Sequence, residues 1–186
     1  MNKKILLVVL AVVVLVLLYG GMVYNSLVSK GEGIDNQWAQ VESQYQRRFD
    51  LIPNLVNSVK GAMKQEQEVF GKLADARTKY GGASTVNEKA AAATEVESAL
   101  GRLLVVMENY PQLKSSDTVI TLMSQLEGTE NRISVERMRF NDATKEFNLI
   151  VKRFPSKLVA MMFSFSEKNY FEPAAGAENV PSVSFQ

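Results

Sequence analysis

The 186-residue chain contains neither histidine nor cysteine, which removes most of the side chains that catalysis and metal binding draw on. Without imidazole there is no Ser-His-Asp relay and no His-based zinc site. Without thiols there is no disulfide, no thiolate nucleophile and no lipoprotein cysteine to acylate. No glycine-rich phosphate loop is present, and Gly81-Gly82 reads as a bare turn. A hydrolase built on paired carboxylates is the remote enzymatic reading, but no spacing gathers such residues. The expectation is a protein that is not an enzyme and holds no cofactor and no metal.

The polar residues that stand out are those placed where an apolar one is due. Arg48 interrupts the stripe from Tyr45 to Ile52, and Thr129 and Glu136 interrupt Leu126–Ile133–Phe140. An unpaired buried charge costs several kcal/mol, roughly 3–5 when one partner is removed. One reading is a polar layer that pairs Arg47 or Arg48 with Glu130 or Glu136 and fixes register, on the premise that the first and third helices run parallel. The other is that these side chains sit at a stripe edge and snorkel to water. A second candidate is the apolar run that contains Leu158, Met161, Met162, Phe163 and Phe165. It is too short to span a bilayer, so it caps the bundle, dips into an interface or binds a partner, with capping preferred. Trp38, between Ile34 and Val41, reads as core.

Long helices must position these residues. Ile34, Trp38, Val41, Tyr45, Ile52, Leu55, Val59 and Met63 recur at gaps of three, four and seven, one face of a helix continuing toward Tyr80. Pro53 lies inside it and predicts a kink or break. A second helix spans Val86 to Tyr110, and Pro111 ends it. A third runs from Asp117 to Phe154, where Val119, Leu126, Ile133, Phe140, Phe147 and Phe154 fall seven apart and demand partner helices. No period-two alternation is sustained. The predicted fold is all-α, with an N-terminal transmembrane helix followed by an antiparallel up-and-down bundle of three long helices and one short one.

Charge separates the anchor from the rest. The chain carries 21 Lys+Arg and 20 Asp+Glu, yet residues 1–30 hold three lysines and no acid. Near-neutrality argues against nucleic acid as a partner. Ile5 to Tyr24 is an apolar stretch of twenty residues, long enough at roughly 30 Å to cross the hydrocarbon of a bilayer. No A-x-A-like cleavage site follows, so an uncleaved anchor is expected. The sequence thus divides into a cytoplasmic N-terminus (1–4), a transmembrane anchor (5–24), a juxtamembrane linker (25–31), a helical bundle (32–172) and a flexible tail (173–186). Lys3 and Lys4 place the N-terminus in the cytoplasm and the bundle outside the bacterial cytoplasmic membrane.

Several blocks then resemble the LemA family of bacterial membrane-anchored proteins. They are Gln40-Val41-Glu42, Arg47-Arg48-Phe49-Asp50-Leu51-Ile52-Pro53-Asn54-Leu55-Val56, Glu108-Asn109-Tyr110-Pro111-Gln112-Leu113-Lys114, Leu126-Glu127-Gly128-Thr129-Glu130-Asn131-Arg132-Ile133, Arg139-Phe140-Asn141, and Phe154-Pro155 with Tyr170-Phe171. The resemblance implies an anchored helical bundle with no catalytic residues to carry over, and an accessory role near membrane proteases or other envelope proteins. It also implies a close helix approach at Gly128 and a defined kink at Pro53. The functional expectation is a non-enzymatic, single-span scaffold or adaptor for other membrane proteins. Lipid is its partner through residues 5–24, and self-association into a homo-oligomer is possible along the long seam. The alternative is a sensor that holds a small molecule or peptide in the bundle core.

Overall fold

The computed structural model describes residues 3–172, and every regular element among them is a helix. These are α1 (Lys3–Val59), α2 (Gln67–Gly82), α3 (Val86–Met107), α4 (Pro111–Lys114), α5 (Asp117–Lys152) and α6 (Ser156–Met162). The all-α expectation holds, with boundaries redrawn in three places. Residues 25–31, expected as a linker, are helical within α1, because no helix breaker other than isolated glycines interrupts them. The first bundle helix, expected to continue toward Tyr80 with a kink or break at Pro53, ends at Val59, and the chain turns through Lys60–Glu66 before α2. The third ends at Lys152, short of Phe154. The expected tail lies outside the described residues.

α1 passes through Pro53 because packing outweighs the break. Proline inside a helix costs about 3 kcal/mol. Ile52, Leu55 and Val59 around it are buried, and each such side chain contributes about 1.5–3 kcal/mol. The helix stops where that burial stops. Lys60 and Gly61 face water, and Met63 plugs back into the core.

The chain divides into two compact units, with α1 and α5 contributing to both. The first comprises the chain up to Gln40 and Met138–Tyr170. In it Lys30 pairs with Glu146 at 2.5 Å, and Trp38 meets Phe140 edge-on at 5.4 Å. As numbers rise along α1 they fall along α5, so these two helices run antiparallel. The N-terminal part of α1 is the one helix of the described residues long and apolar enough to cross a membrane, and that window is wholly unburied.

The second unit, Val41–Arg137 with Phe171, combines parts of α1 and α5 with α2 and α3, and the single-turn α4 connects α3 to α5. Tyr80 near the end of α2 packs on Phe49 at 4.6 Å, so α2 returns along α1. Glu42 pairs with Lys89, and Tyr45 with Glu97, so α3 runs parallel to α1. Arg48 pairs with Glu130, which sets α5 antiparallel. The order is up-down-up-down. The parallel premise for the first and third expected helices fails, because the first is two helices. Val119, Leu126, Ile133, Phe140 and Phe147 are all buried, while Phe154, beyond the end of α5, is 81% exposed. Toward its C-terminal end α5 also buries Thr144 and Asn148, the drift expected of a 3.6-residue helix against a seven-residue repeat. Gly128 has open space where a Cβ would stand, so no close helix approach exists there.

α3 begins with a complete capping box. The Thr85 hydroxyl accepts from the Glu88 amide at 3.2 Å, and the Glu88 carboxylate accepts from the amides of Ser84 and Thr85. Those two backbone donors lower the Glu88 pKa. Its contribution to stability is therefore full above the ordinary carboxylate range and is lost as pH falls through the lowered value. Thr85→Ala is expected to cost about 1 kcal/mol in chemical unfolding. Amide protection at Val86–Lys89 should drop at acid pH in the wild type, and an unchanged profile there would refute the cap's contribution.

Candidate functional site

The residue that most constrains the second unit is Arg48. α1 carries it one turn beyond Tyr45, on the face that buries Val41, Tyr45, Phe49 and Ile52, and its side chain is 9% exposed. Its Nη1 donates to Glu130 of α5 and lies 3.9 Å from Glu97 of α3. Glu97 also accepts from the Tyr45 hydroxyl at 3.3 Å. Burial pulls the Arg48 pKa below its ordinary value, and Glu97 and Tyr45 oppose that shift. Burial, then Glu97, raises the Tyr45 phenol well above its ordinary value, so it stays a donor.

Of the four residues proposed for a polar layer, the structure brings together Arg48 and Glu130. Arg47 faces solvent, and Glu136, six residues on along α5, is half-buried. Glu97 was missed, although the signal was present. In α3 it falls four residues after Ala93 and three before Leu100, the same intrusion into a buried stripe that marks Arg48.

Around this layer stands an aromatic cluster. Tyr45 stacks with Phe49 at 5.7 Å and with Phe171 at 6.4 Å, and Tyr80 lies 5.6 Å from Tyr45. Arg137 lies over the Phe171 ring at 4.4 Å. Gln44 Oε1, Arg48 Nε and the Tyr80 hydroxyl are buried without a protein partner. On one side of Arg48 a groove of about 760 Å³ opens between α3 and α5, lined by Leu104, Val105, Ile120 and Met123 with Glu130 at its edge. Val105 is 65% exposed and Ile120 51%. Among the described residues no cluster of acids is arranged to hold a metal ion.

The second candidate surface lies in the first unit. α6 buries its small side chains, Ser156, Val159 and Ala160, and turns Leu158, Met161 and Met162 outward. Phe163 is 49% exposed and Phe165 is half-buried against Phe147. The small face of α6 thus packs inward, and the bulky residues of the candidate surface are left open.

The described residues form an all-helical chain with one apolar helix long enough to cross a membrane. The chain belongs to the LemA family, whose model matches residues 37–185. It is similar to magnetosome protein MamQ 2 of Paramagnetospirillum magneticum, at 28% identity over 89% of this chain and 71% of that protein. Magnetosome protein MamQ of Magnetospirillum gryphiswaldense is 26% identical over the same shares of each chain.

A double-mutant cycle with Arg48→Met and Glu130→Gln tests the layer. Each single change should destabilise the detergent-solubilised chain to urea, and the double less than their sum, with a coupling of about 1–2 kcal/mol. The value is held down by water at Glu130, whose side chain is 45% exposed. Additive losses would mean the two charges do not support each other.

Proposed function

We propose that this protein is a non-enzymatic, single-span envelope protein whose bundle acts as a scaffold or adaptor for other membrane proteins. The observation that carries this reading is the groove between α3 and α5. Bulky aliphatic side chains line it and stay partly open to water, with Arg48, Glu108, Glu127 and Glu130 around them. That surface fits a partner segment with an apolar stripe and basic flanks. The relatives' names tie them to the magnetosome and not to a reaction, which agrees with an accessory role. The gene neighbourhood that the family resemblance implies makes a membrane protease system one possible partner.

A photoreactive residue at Val105 should crosslink one reproducible membrane protein in native membranes, and adding Ile120→Glu across the groove should abolish that product. Crosslinking to a second copy alone would make the groove a self-association surface and overturn the adaptor reading. The sensor reading rests on Gln44 Oε1, Arg48 Nε and the Tyr80 hydroxyl, three buried atoms without a protein partner. A small molecule that copurifies with a monomeric chain and is lost in Tyr80→Phe would favour it.

The anchor is read as residues 5–24 with the N-terminus in the cytoplasm, followed directly by the family bundle. Lys3 and Lys4 on the short N-terminal side outnumber Lys30, the first charge beyond the apolar stretch, which supports that orientation. Protease added to spheroplasts should digest the bundle, and full protection would reverse the orientation.

A further inference from the structure

We propose that α6 is a second, non-spanning membrane contact, its outward face seated among the acyl chains of the leaflet that the distal half of the anchor crosses. The inference rests on the reading of α1 as a membrane span. Its first support is inverted amphipathicity. A short helix that caps a bundle in water turns its bulky apolar side chains inward. α6 does the opposite, burying Ser156, Val159 and Ala160 while Leu158, Met161 and Met162 are 59%, 68% and 71% exposed. Phe154 and Phe163 on either side of α6 are exposed as well, and apolar side chains gathered this densely are costly to leave in water.

The second support is position. Leu158, Val159 and Met162 share an apolar groove of about 830 Å³ with Val12, Leu15 and Val16 of α1. Those α1 residues lie inside the twenty-residue stretch that crosses the hydrocarbon. Whatever fills the groove therefore sits at acyl-chain depth, which selects lipid as its occupant. Tyr24 closes the upper end of the contact, 4.8 Å from Phe163 and 5.8 Å from Phe165, an aromatic junction suited to the headgroup boundary.

The third support is the backbone. Irregular chain survives in hydrocarbon only when its polar groups are satisfied internally. The Ser156 hydroxyl lies 2.6 Å from the Ile150 carbonyl at the end of α5. At the other end the Phe163 amide donates to Val159, Ser164 to Met161 and Phe165 to Ala160, the paired bonds of a Schellman ending with Ser164 left-handed at φ 60°. Lys157 in the first turn of α6 is the one charge within the insert, and the others lie outside it. Arg153 and Lys157 are exposed, and Lys152 pairs with Glu167 at 2.7 Å. Their stems can run along the apolar surface and leave the charge at the headgroups.

The absence of cysteine makes the test direct. The full chain is reconstituted in phosphatidylcholine–phosphatidylglycerol vesicles with a nitroxide on Met162→Cys, on Val14→Cys in the anchor, or on Ser98→Cys in α3. The readout is collision with oxygen, which concentrates in lipid, against collision with a water-soluble nickel chelate. Oxygen should dominate at positions 14 and 162, and nickel at 98. Lipid exposure at 14 with nickel access at 162, or shielding of 162 from both reagents by a second copy or another protein, overturns the α6 proposal and leaves the anchor standing. Nickel access at both 14 and 162 overturns the anchor itself.

Discussion

A permanently charged guanidinium inside a helical bundle leaves the surrounding helices few choices. Arg48 cannot shed its proton at any physiological pH, so its neighbours must supply negative charge at the right height. Glu130 does so from α5 and Glu97 from α3, and Tyr45 ties Glu97 back to α1. Sliding any of the three helices by one turn would separate charge from countercharge. Apolar packing tolerates such slips far better, because one aliphatic ridge resembles the next. The layer contributes little net stability, since desolvation offsets most of the attraction. We propose that what it supplies is register; the aromatic cluster of Tyr45, Phe49, Tyr80 and Phe171 stands around it.

The two candidate surfaces follow opposite rules. The groove between α3 and α5 mixes aliphatic side chains with carboxylates, the composition of a surface that water covers between encounters. The outward face of α6 is aliphatic and aromatic, with its charges displaced to the ends.

Much of this was legible in the sequence because helical burial is periodic. The stripes from Ile34 to Val59 and from Val119 to Phe147 mark faces that are buried with few exceptions, and Arg48 announced itself by interrupting one. Helix direction was not legible. It depends on how many helices precede α5, and the proline at 53 was a stronger local signal than the turn at Lys60–Glu66 that ends α1. The glycine at 128 misled for a related reason: a residue without a side chain is equally at home in a close contact and beside open space. The outward face of α6 was invisible because hydropathy records which residues are apolar and not which way they point.

Ser164 shows how narrowly one backbone angle restricts what evolution can place at a site. A left-handed residue sits badly with any Cβ, and worst with a branched one. Glycine and asparagine are the natural replacements there, whereas valine, isoleucine or threonine would unwind the last turn of α6. Position 164 therefore has a short list of permitted residues even though its side chain need touch nothing. Variation among relatives at this position would report a backbone conformation, not a contact.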